Sequence, residues 1–331
     1  MSLIPNAKGI YTAPGFTDMH VHVFGQGGKG GINAVSADSV GIRQGVLTVV
    51  DAGGCGIDNY AEFKETVIDR SITNVKFFVN IARCGLLEGL SELADMSKLT
   101  SVEEMHNFKK QNGEHLVGIK VRMSASVLGE SGIEPLIHAL EVAEKVSLPL
   151  MVHIGSAPPA LGDILKLMRK GDIVTHCFHG KKGGVKDFWQ EFSDAVARGV
   201  NFDVGHGVSS FSYDTAMQVL NDANFDFTIS TDIYENNFIT PVGSLMLTMS
   251  KFFNLGFSLE EIVHKVTDLP ARILSLNPND LESYQNDNFT LFSIDEKKAI
   301  LKDSEGREIF VNKIIQPRAV IKAGKVVWSC E

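Results

Sequence analysis

Short apolar, β-branched runs alternate along this chain with longer amphipathic stretches. The short runs predict strands at Gly15–Val23, Val46–Val50, Val75–Ile81, Val117–Val121, Leu150–Ile154, Asp172–His176, Asn201–Val204 and Phe227–Ser230. The stretches between them predict helices at Ala37–Arg43, Asn59–Arg70, Val102–Asn112, Ile133–Val146, Leu161–Lys170, Asp187–Arg198 and Asp214–Asn221. Two more, Val242–Asn254 and Leu259–Val266, follow the last strand. A strand-then-helix unit repeated in this way predicts a parallel sheet with right-handed crossovers. An open doubly wound sheet and a closed barrel share the pattern. A (β/α)8 TIM barrel takes about 250 residues, which is the span from Gly15 to Val266, so the barrel is expected, with residues 15–275 as its domain.

Beyond Asn277 the texture changes. Pro278-Asn279-Asp280 and Gln285-Asn286-Asp287-Asn288 are turn-rich, and Phe289–Ile294, Ala299–Lys302 and Arg318–Trp328 read as short strands. The chain ends, residues 1–14 and 276–331, are expected to form a partial small β-sandwich beside the barrel.

Composition narrows the partners. The 331 residues are 44% hydrophobic and 21% charged, which excludes a disordered or coiled-coil chain. Lys plus Arg is 31 against 40 Asp plus Glu, a net charge of −9 that argues against nucleic acid as a partner. No run of 18 apolar residues occurs, so no membrane span is expected. The four cysteines form no CxxC pair, and the start lacks a basic segment followed by an apolar one. A cytoplasmic protein acting on a small-molecule substrate is expected, with assembly as a homo-oligomer left open.

The first strand carries His20-Val21-His22. Strand side chains alternate faces, so both imidazoles point the same way and can reach one ion. Buried together without partners they would be costly. His153 and His176 end the fifth and sixth strands, and Asp232 follows the eighth. The steps from Lys120 to His153, His176, His206 and Asp232 are 33, 23, 30 and 26 residues, each about one βα unit. Polar groups at one end of successive strands converge on the C-terminal face, where barrel active sites lie. Lys120 sits in the fourth strand. Placement alone leaves open an inward lysine and one snorkelling to the surface.

His20, His22, Lys120, His153, His176 and Asp232 together resemble the ligand set of the amidohydrolase superfamily, in its binuclear members with a bridging carboxylated lysine. Gly118–Ser124, Met151–Pro159, Asp203–Gly207 and Ser230–Tyr234 are similar to one bacterial branch, the dihydroorotase-like deacetylases. The resemblance runs from about Gly15 to Thr267. It implies two divalent ions, zinc by expectation, with Lys120 carboxylated by CO2. One ion would be held by His20, His22, Lys120 and Asp232, the other by Lys120, His153 and His176. It implies that Asp232 is the catalytic base. The activity implied is removal of an acetyl group from a carboxylate-bearing substrate such as an acetylated α-hydroxy acid or an N-acetyl-D-amino acid. A cyclic amide hydrolase of dihydroorotase or hydantoinase type would use the same core. A deaminase fits less well, because Gly155-Ser156 stand after His153 where deaminases place an acidic motif, and a non-catalytic scaffold would have lost ligands. The family carries more of the β-sandwich ahead of the barrel than the fourteen residues before Gly15, hence the expectation of a partial one.

Four residues are candidates for substrate contact. Arg122 shares the face of Lys120 and is placed to take a carboxylate bidentately, against an ion pair with a neighbouring acid as the alternative. His206 ends the seventh strand between two glycines. Tyr234 lies two residues past Asp232, and Arg83 just past the third strand. Gly25-Gln26-Gly27-Gly28-Lys29-Gly30 imitates a dinucleotide fingerprint, but its strand carries the two histidines and no prompt helix follows, so it reads as a loop over the mouth.

Overall fold

The chain enters through β1 (Ile10–Pro14) and then lays down eight parallel strands that neighbour one another in chain order. These are β2 (Phe16–Val21), β3 (Val46–Ala52), β4 (Asn74–Asn80), β5 (Leu116–Met123), β6 (Leu150–Ile154), β7 (Ile173–Thr175), β8 (Asn201–Asp203) and β9 (Phe227–Thr228). The structure is a computed structural model that describes residues 3–25, 32–276 and 287–330. Most of the Gly25–Gly30 pattern and the turn-rich segment at 277–286 lie outside the described residues.

First and last strands meet. Val21 bridges Ile233 in parallel, the His22 amide donates to the Ile233 carbonyl at 2.9 Å, and the Asp232 amide donates to the His20 carbonyl at 2.7 Å. The expected TIM-barrel-like α/β fold is therefore present, nearly closed. Both faces of its strands are covered, so every residue of β2 and β3 is buried, the polar Thr17, Asp18, His20, Thr48 and Asp51 included. Helices cover the outside. In α3 (Val102–Asn112), Ser101 and Glu104 form a capping box and Met105 and Phe108 face inward. In α5 (Glu134–Lys145), Leu136, Ala139, Val142 and Ala143 do so at helical spacing.

Two elements depart from the sequence expectation. The connection from β4 to α3 holds short 3-10 turns at Gly85–Ser91 and Met96–Lys98 that no periodicity announces. It reaches the barrel mouth. The chain ends form a single antiparallel sheet in the order β1-β10-β11-β12, from β10 (Phe289–Lys302), β11 (Glu308–Lys322) and β12 (Lys325–Ser329). The runs Phe289–Ile294 and Ala299–Lys302 are one long strand with a bulge between Glu296 and Ala299. Pro317 hides the first half of β11 from a sequence reading. It is accommodated beside a second register shift, where Phe292 follows Leu291. Arg318–Trp328 is split by a turn at Ala323-Gly324, both at positive φ, which suits a tight hairpin.

This sheet is fastened to the barrel. Thr290 Oγ1 donates to the Gly45 carbonyl, the Ile315 amide donates to Ser250 Oγ, and Phe292 packs 5.4 Å from Phe16. Its β10–β11 turn reaches the mouth, where Ser304 Oγ donates to the carbonyls of His206 and Gly207.

Candidate metal centre and catalytic cavity

Strand alternation places Lys120 and Arg122 of β5, His153 of β6 and His20 of β2 on the inner face near the C-terminal ends. His176 and Asp232 lie just past their strands with φ of 75° and 49°. That left-handed backbone is uncommon outside glycine, although His and Asp tolerate it best, and it turns both side chains inward. Gly207 lets the chain pass close by: a Cβ there would stand 2.4 Å from Asp232 Oδ2.

The donor atoms converge. One ligand atom each from His20, His176 and Asp232 lies within 4.8 Å of the others. Asp232 Oδ1 is 3.0 Å from His22 Nε2 and 3.4 Å from His20 Nε2. His153 Nδ1 and His176 Nε2 approach to 2.8 Å, and Lys120 Nζ stands 3.3 Å from His20 Nε2.

Burial, then Lys120, pushes His20 down to about 4. Burial takes His176 down to about 3 and His153 well below its usual range. Burial alone would raise Asp232, but His20, His22 and His176 outweigh it and hold the carboxyl below the usual range. Neutral imidazoles beside an ionised carboxylate are the protonation states that metal ligation requires, and nitrogen with carboxylate oxygen is a donor set suited to zinc. The residues present therefore fit a divalent metal centre.

A cavity of about 240 Å³, open at its mouth, lies over this cluster. His20, His22, Lys120, His153 and Asp232 form its floor, and Arg122, Glu92, Tyr234, Leu86, Val208 and Ser210 are among its walls. A concave wall of mixed apolar and polar side chains over converging ionisable groups makes a small-molecule site.

Of the four residues expected at the substrate, Arg122 and Tyr234 line this cavity. Arg83 and His206 do not. Arg83 turns outward at the end of β4, pairing with Asp58 at 2.8 Å and with Glu104. His206 lies beyond β8 between Gly205 and Gly207, both at positive φ, so strand alternation no longer sets its direction. Its Nδ1 meets the Gly207 carbonyl at 2.9 Å, and its Nε2 accepts from Lys251 Nζ at 2.6 Å. Two residues at the site escaped the sequence reading. Asp203 ends β8 beneath His20, and only its spacing, 27 residues past His176 and 29 before Asp232, announces it. Glu92 lies in the irregular β4–α3 connection and had no signal.

No family model matches the chain. Among solved structures it resembles one titled an adenine deaminase, with TM-score 0.90 and 36% identity over 97% of this chain and 88% of that one. Another, titled a dihydroorotase, gives TM-score 0.88 and 30% identity over 96% and 85%. A curated protein of Enterococcus faecalis named deacetylase is 38% identical over 336 residues, covering 96% of this chain and 87% of that one. The chain belongs to the amidohydrolase superfamily. As an amidohydrolase it is a hydrolytic enzyme, and its barrel mouth holds a His and Asp cluster that could bind a metal ion. Among the described residues, no helix is long and apolar enough to cross a membrane.

Proposed function

We propose that this enzyme removes an acetyl group from a small carboxylate-bearing substrate, an acetylated α-hydroxy acid or an N-acetyl-D-amino acid. One observation carries the reading: among the described residues Arg122 is the one arginine lining the cavity, two residues past Lys120 in β5 and in register with His153 of β6. A guanidinium there takes a substrate carboxylate and sets the neighbouring acyl bond over the metal ligands. The relative named deacetylase supports the bond assigned.

His20, His22, Lys120 and Asp232 would hold one divalent ion, and Lys120, His153 and His176 the other, with zinc the expected metal. When bound, such ions lower the pKa of water and polarise an acyl carbonyl. Burial brings Lys120 down from 10.5 to about 8, so about a tenth of it is neutral amine at pH 7. The neutral amine is the form that adds CO2: the N–C bond forms, a proton leaves, and a carbamate with two oxygen donors results. Asp232, held ionised by three histidines, accepts the proton of the attacking water on its carboxylate and returns it to the leaving oxygen or nitrogen. The Tyr234 phenol, which burial and then Asp232 keep protonated, hydrogen-bonds the acyl oxygen. Ile32, Leu86 and Val208 exclude bulk water from the bond being cleaved. A cytoplasmic setting goes with this reading, supported by Cys55, Cys177 and Cys330 as free thiols.

A cyclic amidase is the second reading, favoured by the neighbour titled a dihydroorotase. A panel of O-acetyl hydroxy acids, N-acetyl-D-amino acids, dihydroorotate and adenine, assayed with zinc-loaded enzyme, separates them. Turnover of the acetylated acids is expected. Turnover of dihydroorotate or adenine alone would replace the deacetylase reading.

A further inference from the structure

Beside Arg122 stands a carboxylate that is fully buried, yet forms part of the cavity wall. The Glu92 side chain is 0% exposed and its Oε2 lies 3.0 Å from Arg122 Nε. Its Oε1 accepts from Asn80 Nδ2 at 2.7 Å. Asn80 is itself pinned at the end of β4: Nδ2 reaches the Gly53 carbonyl at 3.1 Å, and Oδ1 accepts from the Ala82 amide at 2.9 Å. In register, Asn80 is the neighbour of Lys120. A rigid strand end therefore fixes Glu92, and Glu92 fixes the guanidinium.

The remaining contact of Arg122 runs from Nη2 to the Gly89 carbonyl at 3.4 Å. Nε and Nη2 thus face the loop side, Nε in an ion pair with Glu92 and not a hydrogen bond, while Nη1 has no partner among the described residues. Burying a carboxylate is costly unless a charge answers it. Arg122 supplies that charge, and in return its long side chain is confined to one direction. A free arginine would lose its rotamer entropy each time it bound a ligand.

We infer that Glu92 is a positioning residue that sets the enzyme's selectivity for carboxylate substrates by aiming Arg122 into the cavity. This rests on the reading that Arg122 receives the substrate carboxylate. Replacing Glu92 by Gln keeps the shape but not the polarity. The new carbonyl stays with the Asn80 donor, so the new NH2 faces Arg122 Nε, donor against donor, and the guanidinium turns away.

The test compares O-acetyl lactate with its neutral methyl ester, on zinc-loaded enzyme of verified metal content. With Glu92→Gln, KM for the acid is expected to rise about tenfold, the scale of one charge-assisted hydrogen bond. The loss falls on KM rather than kcat, and the methyl ester is spared. Calorimetric titration with lactate itself should show the same tenfold weakening. In an Arg122→Met background, adding Glu92→Gln should change nothing further, because the aimed group is gone. Glu92→Met, which removes the charge without creating a clashing donor, should give the same split and stands in if the glutamine variant folds poorly. Parallel losses on acid and ester, an unchanged KM for the acid, or an effect that persists without Arg122 would each overturn the role of Glu92. If Arg122→Met alone fails to separate acid from ester, the underlying carboxylate reading falls with it. If it separates them and the Glu92 variants do not, only the role of Glu92 falls.

Discussion

Asp203 Oδ2 lies 3.6 Å from His20 Nδ1, with the Thr175 hydroxyl bridging them. Thr175 Oγ1 donates its one proton to Asp203 at 2.7 Å and so accepts from His20 Nδ1 at 2.9 Å. That assigns the His20 tautomer, with its proton on Nδ1 and the Nε2 lone pair facing the metal cluster. Hydroxyls of Ser230 and Thr228 also donate to Asp203, at 2.7 and 2.6 Å. A partner behind a ligating histidine typically accounts for 10- to 100-fold in metal affinity. Asp203→Asn should therefore weaken zinc binding by about that factor, read by competition with a chelator, while far-UV circular dichroism stays unchanged. Full metal retention in the variant would leave Asp203 with a packing role alone.

Lys120 is the second point of attack. Lys120→Ala should bind metal poorly and be inactive, because the side chain expected to serve both ions is gone. Formate, acetate or propionate supplied in the medium places a carboxylate in the vacated space and should restore part of the activity. A Lys120→Ala enzyme that keeps two metals per chain, measured by elemental analysis, would contradict the shared-ligand role.

Much of this centre is legible without coordinates. His20 follows from period-two alternation in β2, and His153, His176 and Asp232 from the repeat of one polar strand end per βα unit, whereas alternation leaves Lys120 open and only the family resemblance places it in the centre. Where alternation stops, so does the legibility. His206 stands three residues beyond the last residue of β8, between glycines that reset its direction. Arg83 stands beyond β4, where two acids draw it outward. Glu92 belongs to a loop of 3-10 turns, whose side-chain directions follow tertiary contacts rather than any period. The first half of β11 is obscured by Pro317 because the bulge that accommodates a proline depends on the partner strand.

Arg122 offers a test of the substrate's charge. A hydrogen bond to a charged group contributes roughly 1.5–3 kcal/mol. Arg122→Met should then lower kcat/KM about 10- to 100-fold on acetylated hydroxy acids, since each 1.4 kcal/mol is a factor of ten. A neutral acetyl ester has no carboxylate to lose and should fall much less. Equal losses would assign Arg122 to support of the metal floor.

Lys251 carries a pH signature. It is 1% exposed, donating to His206 Nε2 at 2.6 Å and to the Pro241 carbonyl at 2.7 Å. Burial, partly offset by Asp303, brings its ammonium down to about 7, against 10.5 ordinarily. Between those values the unfolded chain holds a proton that the folded chain has released. Stability therefore rises with pH across this window, by up to about 1.4 kcal/mol per unit from this group. Below pH 7 both states carry the proton and the contribution is flat. Lys251→Met removes the titration and adds a constant offset for the lost hydrogen bonds. Urea unfolding of zinc-saturated wild type and variant at pH 7, 8 and 9 should show wild type gaining on the variant at each step. A difference that stays constant over that range would mean Lys251 remains charged in the folded enzyme, with His206 Nε2 as its acceptor throughout.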